Sequence, residues 1–304
     1  MEKAKLTILG SGSATPTPER FQSSQLFEIR NKQFLIDCGE GAQNSMIRHG
    51  VRTARLNHIF ISHLHGDHYF GLLGLMSTLG MMGRTADFEI HAQPDLERLL
   101  RPQIDYCLSD FPFKVIFHPF NPRKSEVIYD DRSLKVTTIP LKHSVPTAGF
   151  LFEEKNKPRH LRRDMAEAFG VPVSKYKEIV AGADYIMPDG QVVPNSRLTT
   201  EPTKPKRFAY ISDTAYSEKI VPLIGGVDLL YHEATFLTEH EVRSRATLHS
   251  TAAQAATIAK MAQVGELVIG HYSARYRDVR PVLDEARAIF PNTIAAADGL
   301  VINF

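Results

Sequence analysis

Short apolar runs, rich in Ile, Val, Leu and Phe and closed by glycine or polar residues, recur along the chain. Runs of this kind read as buried strands. The opening predicts strands over residues 5–9, 25–30 and 33–37, with a Gly/Ser/Pro loop over 10–18. Stretches with helical spacing separate the later runs: residues 39–49, 69–82, 94–100 and the alanine-rich 248–263. Strands alternate with helices, and β-hairpin patterning appears near residues 115–136. The expected fold class is α/β, an αββα sandwich of two mixed β-sheets flanked by helices.

Four runs share a further property, since each ends near a side chain that can bind a metal. Residues 56–61 lead into His63, residues 134–139 lead toward His143, residues 207–212 stop at Asp213, and residues 267–270 stop at His271. Ligands at the ends of neighbouring strands can converge on one rim of a sheet. The first run opens onto His63-Leu64-His65-Gly66-Asp67-His68. Two imidazoles at i and i+2 on an extended segment project to the same side, and the following turn brings Asp67 and His68 round. Alone, such a segment could be a polar surface loop; the other three strand ends supply the context. Histidine with carboxylate suits zinc or a similar first-row divalent ion. Two ions taking about four protein bonds each need about eight. Seven residues suffice if Asp213 bridges with both oxygens. His63, His65, His143 and Asp213 are then expected at one ion, and Asp67, His68, Asp213 and His271 at the other.

A formal net charge of +2 does not mark a nucleic-acid binder, but its distribution is uneven. Lys155, Lys157, Arg159, Arg162, Arg163, Lys175 and Lys177 face only Asp164 and Glu167, and Lys204, Lys206 and Arg207 close the same region. Such clustering attracts a phosphate backbone, although a solvated face would look alike. The cluster falls within residues 152–205, where the strand–helix rhythm breaks. Two short polar helices (159–169 and 173–181), a Pro188-Asp189-Gly190 turn and a Pro/Lys-rich exit are expected there. With few large apolar residues, this stretch reads as a protruding basic arm without a good core of its own. It is inserted into a single catalytic domain of residues 1–304. The only two cysteines, Cys38 and Cys107, sit outside any CxxC pattern and are expected to be reduced, buried small hydrophobes. No secretory apolar segment follows the N-terminal lysines, and the longest apolar stretch, 70–83, is too short to span a bilayer. A soluble, cytoplasmic protein is expected.

The histidine segment resembles the signature of the metallo-β-lactamase superfamily, and the wider set of motifs resembles one family within it. Leu9-Gly10-Ser11-Gly12, Ile36-Asp37-Cys38-Gly39-Glu40-Gly41, residues 62–68, His232-Glu233-Ala234-Thr235-Phe236, His249-Ser250-Thr251, His271-Tyr272-Ser273-Ala274-Arg275-Tyr276 and Ala297-Asp298-Gly299-Leu300 are similar to ribonuclease Z, the tRNA 3′-processing endonucleases. The resemblance covers nearly all of the chain. It implies removal of the 3′ trailer from precursor tRNA by phosphodiester hydrolysis, with two Zn2+ per subunit and a 3′-hydroxyl left on the tRNA. It also implies a homodimer in which one subunit's arm holds tRNA for the other's active site. Asp67 would orient or deprotonate the attacking water as well as ligate. Glu233 and His249 would form a relay that protonates the leaving oxygen, a role that needs a His held in one tautomer by a carboxylate. Arg275 is the candidate for the scissile phosphate, because a planar guanidinium suits bidentate contact.

His232 is expected to face away from Glu233 in a structural role. His49, His58, His91, His118, His160 and His240 receive none, and Tyr272 and Tyr276 read as packing residues. The chain departs from the family at Pro16-Thr17-Pro18-Glu19-Arg20-Phe21, which keeps the Pro and Arg of a Pro-x-Lys-x-Arg-Asn segment associated with sensing the first trailer nucleotides. Within the arm it also reads Gly170-Val171-Pro172-Val173-Ser174-Lys175. The competing reading is a small-molecule phosphodiesterase or arylsulfatase with the same metal centre and no such arm.

Overall fold

Residues 4–304 are described by this computed structural model; residues 1–3, the start of the expected catalytic domain, lie outside the described residues. Backbone pairing sorts the longer strands into two seven-stranded sheets. In the first, Lys5–Gly10 pairs antiparallel with both Val301–Asn303 and Ser24–Ile29, and the latter pairs antiparallel with Lys32–Ile36. The sheet then continues in parallel through Leu56–Phe60, Phe88–Ala92 and Val115–Pro119. The second sheet runs in parallel through Arg207–Ile211, Leu229–Glu233, Glu266–Gly270 and Thr293–Ala295. Its other half is Thr147–Glu154, Leu134–Leu141 and Val127–Asp130. Because those second-sheet strands are parallel, Asp213, Glu233 and His271 emerge at the same, carboxyl-terminal rim, where open α/β sheets present ligand sites.

Aromatic rings fill the space between the sheets. Phe27 lies 5.1 Å from Phe152 and 4.9 Å from Phe208, and Phe60 lies 5.5 Å from Phe150. On the far face of the first sheet, Leu35, Ile59 and Ile90 pack with Met46, Leu72, Met76, Leu96 and Leu100 of three helices, Ala42–Arg48, Leu72–Met81 and Asp95–Cys107. The second sheet is covered by Ala252–Met261, which packs on Glu266–Gly270 and on Arg280–Arg287. The layering is helix, sheet, sheet, helix, as the alternation of patterns predicts.

Several boundaries differ from the sequence reading. The helix expected over 94–100 continues through Pro102 to Cys107. Its stripe Leu96, Leu100 and Ile104 is buried, and that burial outweighs the hydrogen bond a helical proline forfeits. In consequence Cys107 is exposed, not the buried hydrophobe expected, whereas Cys38 is buried. The stretch 69–82 is two helices, Gly66–Tyr69 and Leu72–Met81. They are separated at Gly71, where a Cβ would sit 2.2 Å from the Gly39 carbonyl oxygen. The helix expected from 248 begins at Ala252. Thr251 Oγ1 accepts from Gln254 N at 3.2 Å while Gln254 Oε1 accepts from Thr251 N at 3.0 Å, a capping box that fixes the start.

Residues 131–134 and 153–206 form a second compact unit. It corrects the expectation of a coreless arm. Ala166, Val171, Ile179, Tyr185, Val193 and Leu198 are buried together, and Asn195 Nδ2 donates to the carbonyls of Ile179 and Ala183, both at 2.7 Å. These core residues are dispersed along the sequence over several short elements, so no periodic stripe announces them. The expected helices are shorter, Arg163–Ala168 and Tyr176–Val180, and two two-stranded ribbons complete the unit. Among the described residues, no helix is long and apolar enough to cross a membrane.

Phe27 touches Phe34, Phe152, Phe208 and Phe304. Phe27→Ala is expected to cost about 3–5 kcal/mol, read as a lower midpoint in urea unfolding.

Candidate active site

The ligand candidates converge on the rim of the sheets in two quartets that share Asp213. His63, His65, His143 and Asp213 form one and Asp67, His68, Asp213 and His271 the other, with donor atoms of each within 4.8 Å of one another. In the first, His65 Nδ1 lies 3.1 Å from His63 Nε2 and 3.3 Å from His143 Nε2. Asp213 Oδ2 is 3.6 Å from His63 Nε2 and 3.7 Å from His143 Nε2. In the second, Asp213 Oδ1 is 3.4 Å from His68 Nε2 and 3.2 Å from His271 Nε2, and Asp67 Oδ2 is 3.3 and 3.5 Å from the same two nitrogens. Ligands at about 2.0–2.1 Å around a tetrahedral ion stand about 3.3 Å apart, so both quartets have the right edge length.

The donor atoms also lack other employment. His68 Nε2, His271 Nε2 and Asp213 Oδ1 are buried without a hydrogen-bond partner among the described residues. Buried polar atoms left unpaired are costly, and a cation between them would satisfy all three. The residues fit a divalent metal pair.

Behind the ligands, the far nitrogens are anchored. His68 Nδ1 donates to Asp37 Oδ2 at 2.7 Å, His143 Nδ1 donates to the Leu248 carbonyl at 2.9 Å, and His271 Nδ1 donates to Thr235 Oγ1 at 2.9 Å. His63 Nδ1 donates to Ser62 Oγ at 3.0 Å, and Ser62 Oγ in turn donates to Asp37 Oδ2 at 2.9 Å. Such partners fix ring orientation and tautomer. The chain also bends to achieve this: Asp37, Leu248 and His271 have φ of 55°, 56° and 61°. Left-handed backbone at non-glycine residues costs on the order of 1–3 kcal/mol each and gathers where function over-determines it.

Electrostatics follow from burial. Burial and then the charge of His68 push His63 well below its ordinary value, and burial lowers His65 and His143. Burial would raise Asp213, but the charges of His271 and His68 hold it well below the carboxylate range. Asp67 is likewise held low against burial, chiefly by the charge of His68, with His271 also close by. Neutral imidazoles and ionised carboxylates are the metal-binding forms. His68 is the exception, raised against burial by Asp67, Asp213 and Asp37.

Glu233 and His249 meet beside this centre. His249 Nδ1 donates to Glu233 Oε1 at 3.0 Å. The buried carboxylate further accepts from the backbone of Thr214, Thr235 and Ser250 at 3.0, 3.0 and 2.9 Å, and from Thr235 Oγ1 at 2.7 Å. Burial opposes a charge on His249, but the charge and hydrogen bond of Glu233 and the charge of Asp213 outweigh it and lift it to about 9. Its Nε2 is 4.0 Å from Asp213 Oδ2, aimed into a cleft of about 630 Å³ that opens over the ligands. Arg275 lines that cleft, held by Ser273 Oγ at 3.1 Å and lying over the Phe236 ring. The buried Tyr272 donates to the Ile269 carbonyl at 2.6 Å, and the hydroxyl of Tyr276 accepts from Leu237 N at 3.0 Å. Both are packing residues, as expected. His232 is buried and donates to the Glu233 carbonyl at 2.6 Å.

Comparison with known proteins gives this geometry a family. Residues 4–166 match the family described as anti-Pycsar protein Apyc1, and residues 193–272 match the beta-lactamase superfamily domain. A ribonuclease Z of Phocaeicola vulgatus is 54% identical over 303 residues, covering 100% of this chain and 98% of that one. The chain belongs to the ribonuclease Z family. A ribonuclease Z of Bacteroides thetaiotaomicron is 53% identical over 302 residues, covering 99% of this chain and 96% of its own. Human tRNase Z, short form, has a TM-score of 0.71 at 23% identity over 98% of each chain; with the beta-lactamase superfamily domain match, the fold is the metallo-β-lactamase fold. Ribonuclease Z membership makes the protein a metal-dependent hydrolase, an endoribonuclease.

Sequence reading missed four contributors. Asp37 lies inside a motif noted for its resemblance, yet nothing in its spacing shows that it accepts from His68, Ser62 and Tyr210. Ser62 and Thr235 act as hydroxyl relays behind the ligands, and Arg243 joins Arg275 in lining the cleft. All four depend on tertiary placement; for Asp37, a carboxylate closing an apolar strand two residues before a glycine was the available signal.

Asp37→Asn should weaken zinc binding by about 10–100-fold, measured by competition with a chromophoric chelator. In metal-free protein, the folded value of His249 near 9 exceeds its ordinary 6.5, so its contribution to stability is complete below about 6.5 and fades as pH rises through about 9. The stability gap between wild type and His249→Gln should therefore be larger at pH 6 than at pH 10 in urea unfolding.

Proposed function

We propose that this protein is a zinc-dependent endoribonuclease that removes the 3′ trailer from precursor tRNA, acting as a cytoplasmic homodimer with two Zn2+ per subunit. The observation that carries the reading is the pair of donor quartets joined through the two oxygens of Asp213. His63, His65, His143 and Asp213 hold one ion; Asp67, His68, Asp213 and His271 hold the other. The chemistry such a pair supplies is charge neutralisation on the phosphate and a water acidic enough to lose its proton near neutral pH. The tRNA substrate is supported by the names of the relatives, ribonuclease Z and tRNase Z.

The chain's own residues divide the remaining work. Asp67, kept ionised by its histidine neighbours, accepts a hydrogen bond from the attacking water and orients it in line with the scissile bond. Arg275 takes the phosphate at the mouth of the cleft. His249, held as an imidazolium by Glu233, gives its Nε2 proton to the departing 3′ oxygen, which leaves as the tRNA hydroxyl. Glu233 keeps the donor aimed and charged and is a positioning residue.

The inserted unit supplies the grip on tRNA. Its basic residues include Arg162, Arg163 and Lys177, and a phosphate backbone is the partner such a cluster suits. In the Pro16–Phe21 segment, Arg20 Nη2 donates to the Tyr276 carbonyl at 2.6 Å. The family's retained arginine is therefore spent on tying this loop to the strand end that carries His271 and Arg275.

Asp67→Ala and His249→Ala should each lower kcat on precursor tRNA by at least about 100-fold. Unchanged turnover in either would refute its role. Glu154 N donates to the Lys206 carbonyl at 2.8 Å, so the ends of the insertion adjoin and a short Gly/Ser linker can replace residues 156–205. That variant should lose precursor-tRNA cleavage and its steep salt dependence while still hydrolysing a small phosphodiester. Equal retention of both activities would favour the small-molecule phosphodiesterase instead. Mapping product ends on precursors with and without an encoded CCA tests the altered loop: a cut in both assigns it a loss of discrimination.

A further inference from the structure

Three histidines and a glutamate gather away from the catalytic cleft, on the core-facing side of the first sheet. His58 stands on Leu56–Phe60, Glu89 and His91 on Phe88–Ala92, and His118 on Val115–Pro119. Register brings them together, with His58 opposite Glu89 and His91 opposite His118 across parallel strands, and alternate residues of a strand share a face. His58 Nδ1 and His91 Nε2 are 3.3 Å apart. Glu89 Oε2 is 3.8 Å from His58 Nδ1 and 3.0 Å from His118 Nε2. The donor atoms of His58, Glu89 and His91 all lie within 4.8 Å of one another.

Three features point to a cation. Ligands of a tetrahedral zinc stand about 3.3 Å apart, which is the His58–His91 spacing. His118 Nε2 approaches Glu89 at 3.0 Å without the alignment of a hydrogen bond and is buried without a hydrogen-bond partner among the described residues. His91 is only 3% exposed, whereas the side chains of Glu89 and His118 are 38% and 42% exposed. The cluster thus has a closed floor and an open mouth. Phe60 stacks on His91 at 4.4 Å and Tyr129 packs edge-on against His58 at 4.8 Å, so the rings are held. Burial, then the charges of His58 and His118, hold His91 down at about 3, and burial lowers His58. Neutral imidazole is the ligating form. Lys32, close to Tyr129, is the adverse charge, and Glu89 offsets it.

We propose that His58, Glu89 and His91, with His118 beside Glu89 as its outer partner at the mouth, form a further divalent-metal site of the zinc class that ties together two neighbouring parallel strands. The test is titration of the metal-free full-length protein with Zn2+ against a chromophoric chelator, comparing wild type with Glu89→Gln and His118→Gln. Because the readout is a difference, it does not depend on how many ions the catalytic cleft takes. Wild type should bind one equivalent more than Glu89→Gln, and His118→Gln should weaken that equivalent about tenfold or more. Should Glu89→Gln fail to fold by circular dichroism, His118→Gln at the half-exposed edge carries the same comparison. Equal equivalents with equal affinity in wild type and the folded variants would overturn the site and leave a hydrogen-bonded His58–His91 pair.

Discussion

The Asp37 carboxylate, fully buried at the end of a first-sheet strand, is the interaction on which the centre rests. It accepts from the Ser62 backbone at 2.8 Å, from Ser62 Oγ at 2.9 Å, from His68 Nδ1 at 2.7 Å and from Tyr210 Oη at 2.8 Å. Tyr210 belongs to the second sheet and His68 to the histidine turn, so one side chain ties both sheets to a ligand. A buried carboxylate is tolerable only when its lone pairs are met. Moving any one of these donors weakens the compensation of a buried charge. Glu233 repeats the device on the opposite flank, accepting three backbone amides while it holds His249 and, through Thr235, His271.

These two anions divide the labour between rigidity and chemistry. Three atoms aimed inward, His68 Nε2, His271 Nε2 and Asp213 Oδ1, are left unpaired among the described residues, whereas the outward nitrogens of His68, His143 and His271 are hydrogen-bonded. Rigid outer partners cost conformational freedom once, at folding, so that no further ordering is needed when a substrate or cation arrives. The strained backbone at Asp37, Leu248 and His271 belongs to the same economy, since each sits where a strand or helix must stop abruptly to present one atom.

The layered fold and the seven ligand candidates were legible in the sequence because both rest on local signals. Strand runs ended at His63, Asp213 and His271, and side-chain chemistry did the rest. What escaped was decided by long-range contact. The helix past Pro102 depended on burial of Ile104 by the sheet, and the exposure of Cys107 followed from it. The delayed helix at Ala252 was locally encoded in Thr251 and Gln254, yet alanine-rich sequence masked the cap. The inserted unit's core combines Ala166, Ile179 and Leu198 from separate short elements, so no single window contains it. The cluster around His58 and His91 was invisible because four residues on three strands meet only through sheet register.

The main-chain bond between Glu154 and Lys206 has a consequence for how the chain folds and varies. It makes the 153–206 segment a loop whose two ends are already adjacent in the native state. Loop-closure entropy grows only logarithmically with length, so adding or removing residues within the segment changes the cost of closing it very little. Length variation there is nearly neutral for the fold. Sequence within the segment can therefore diverge with little penalty to the strands that carry the candidate ligands.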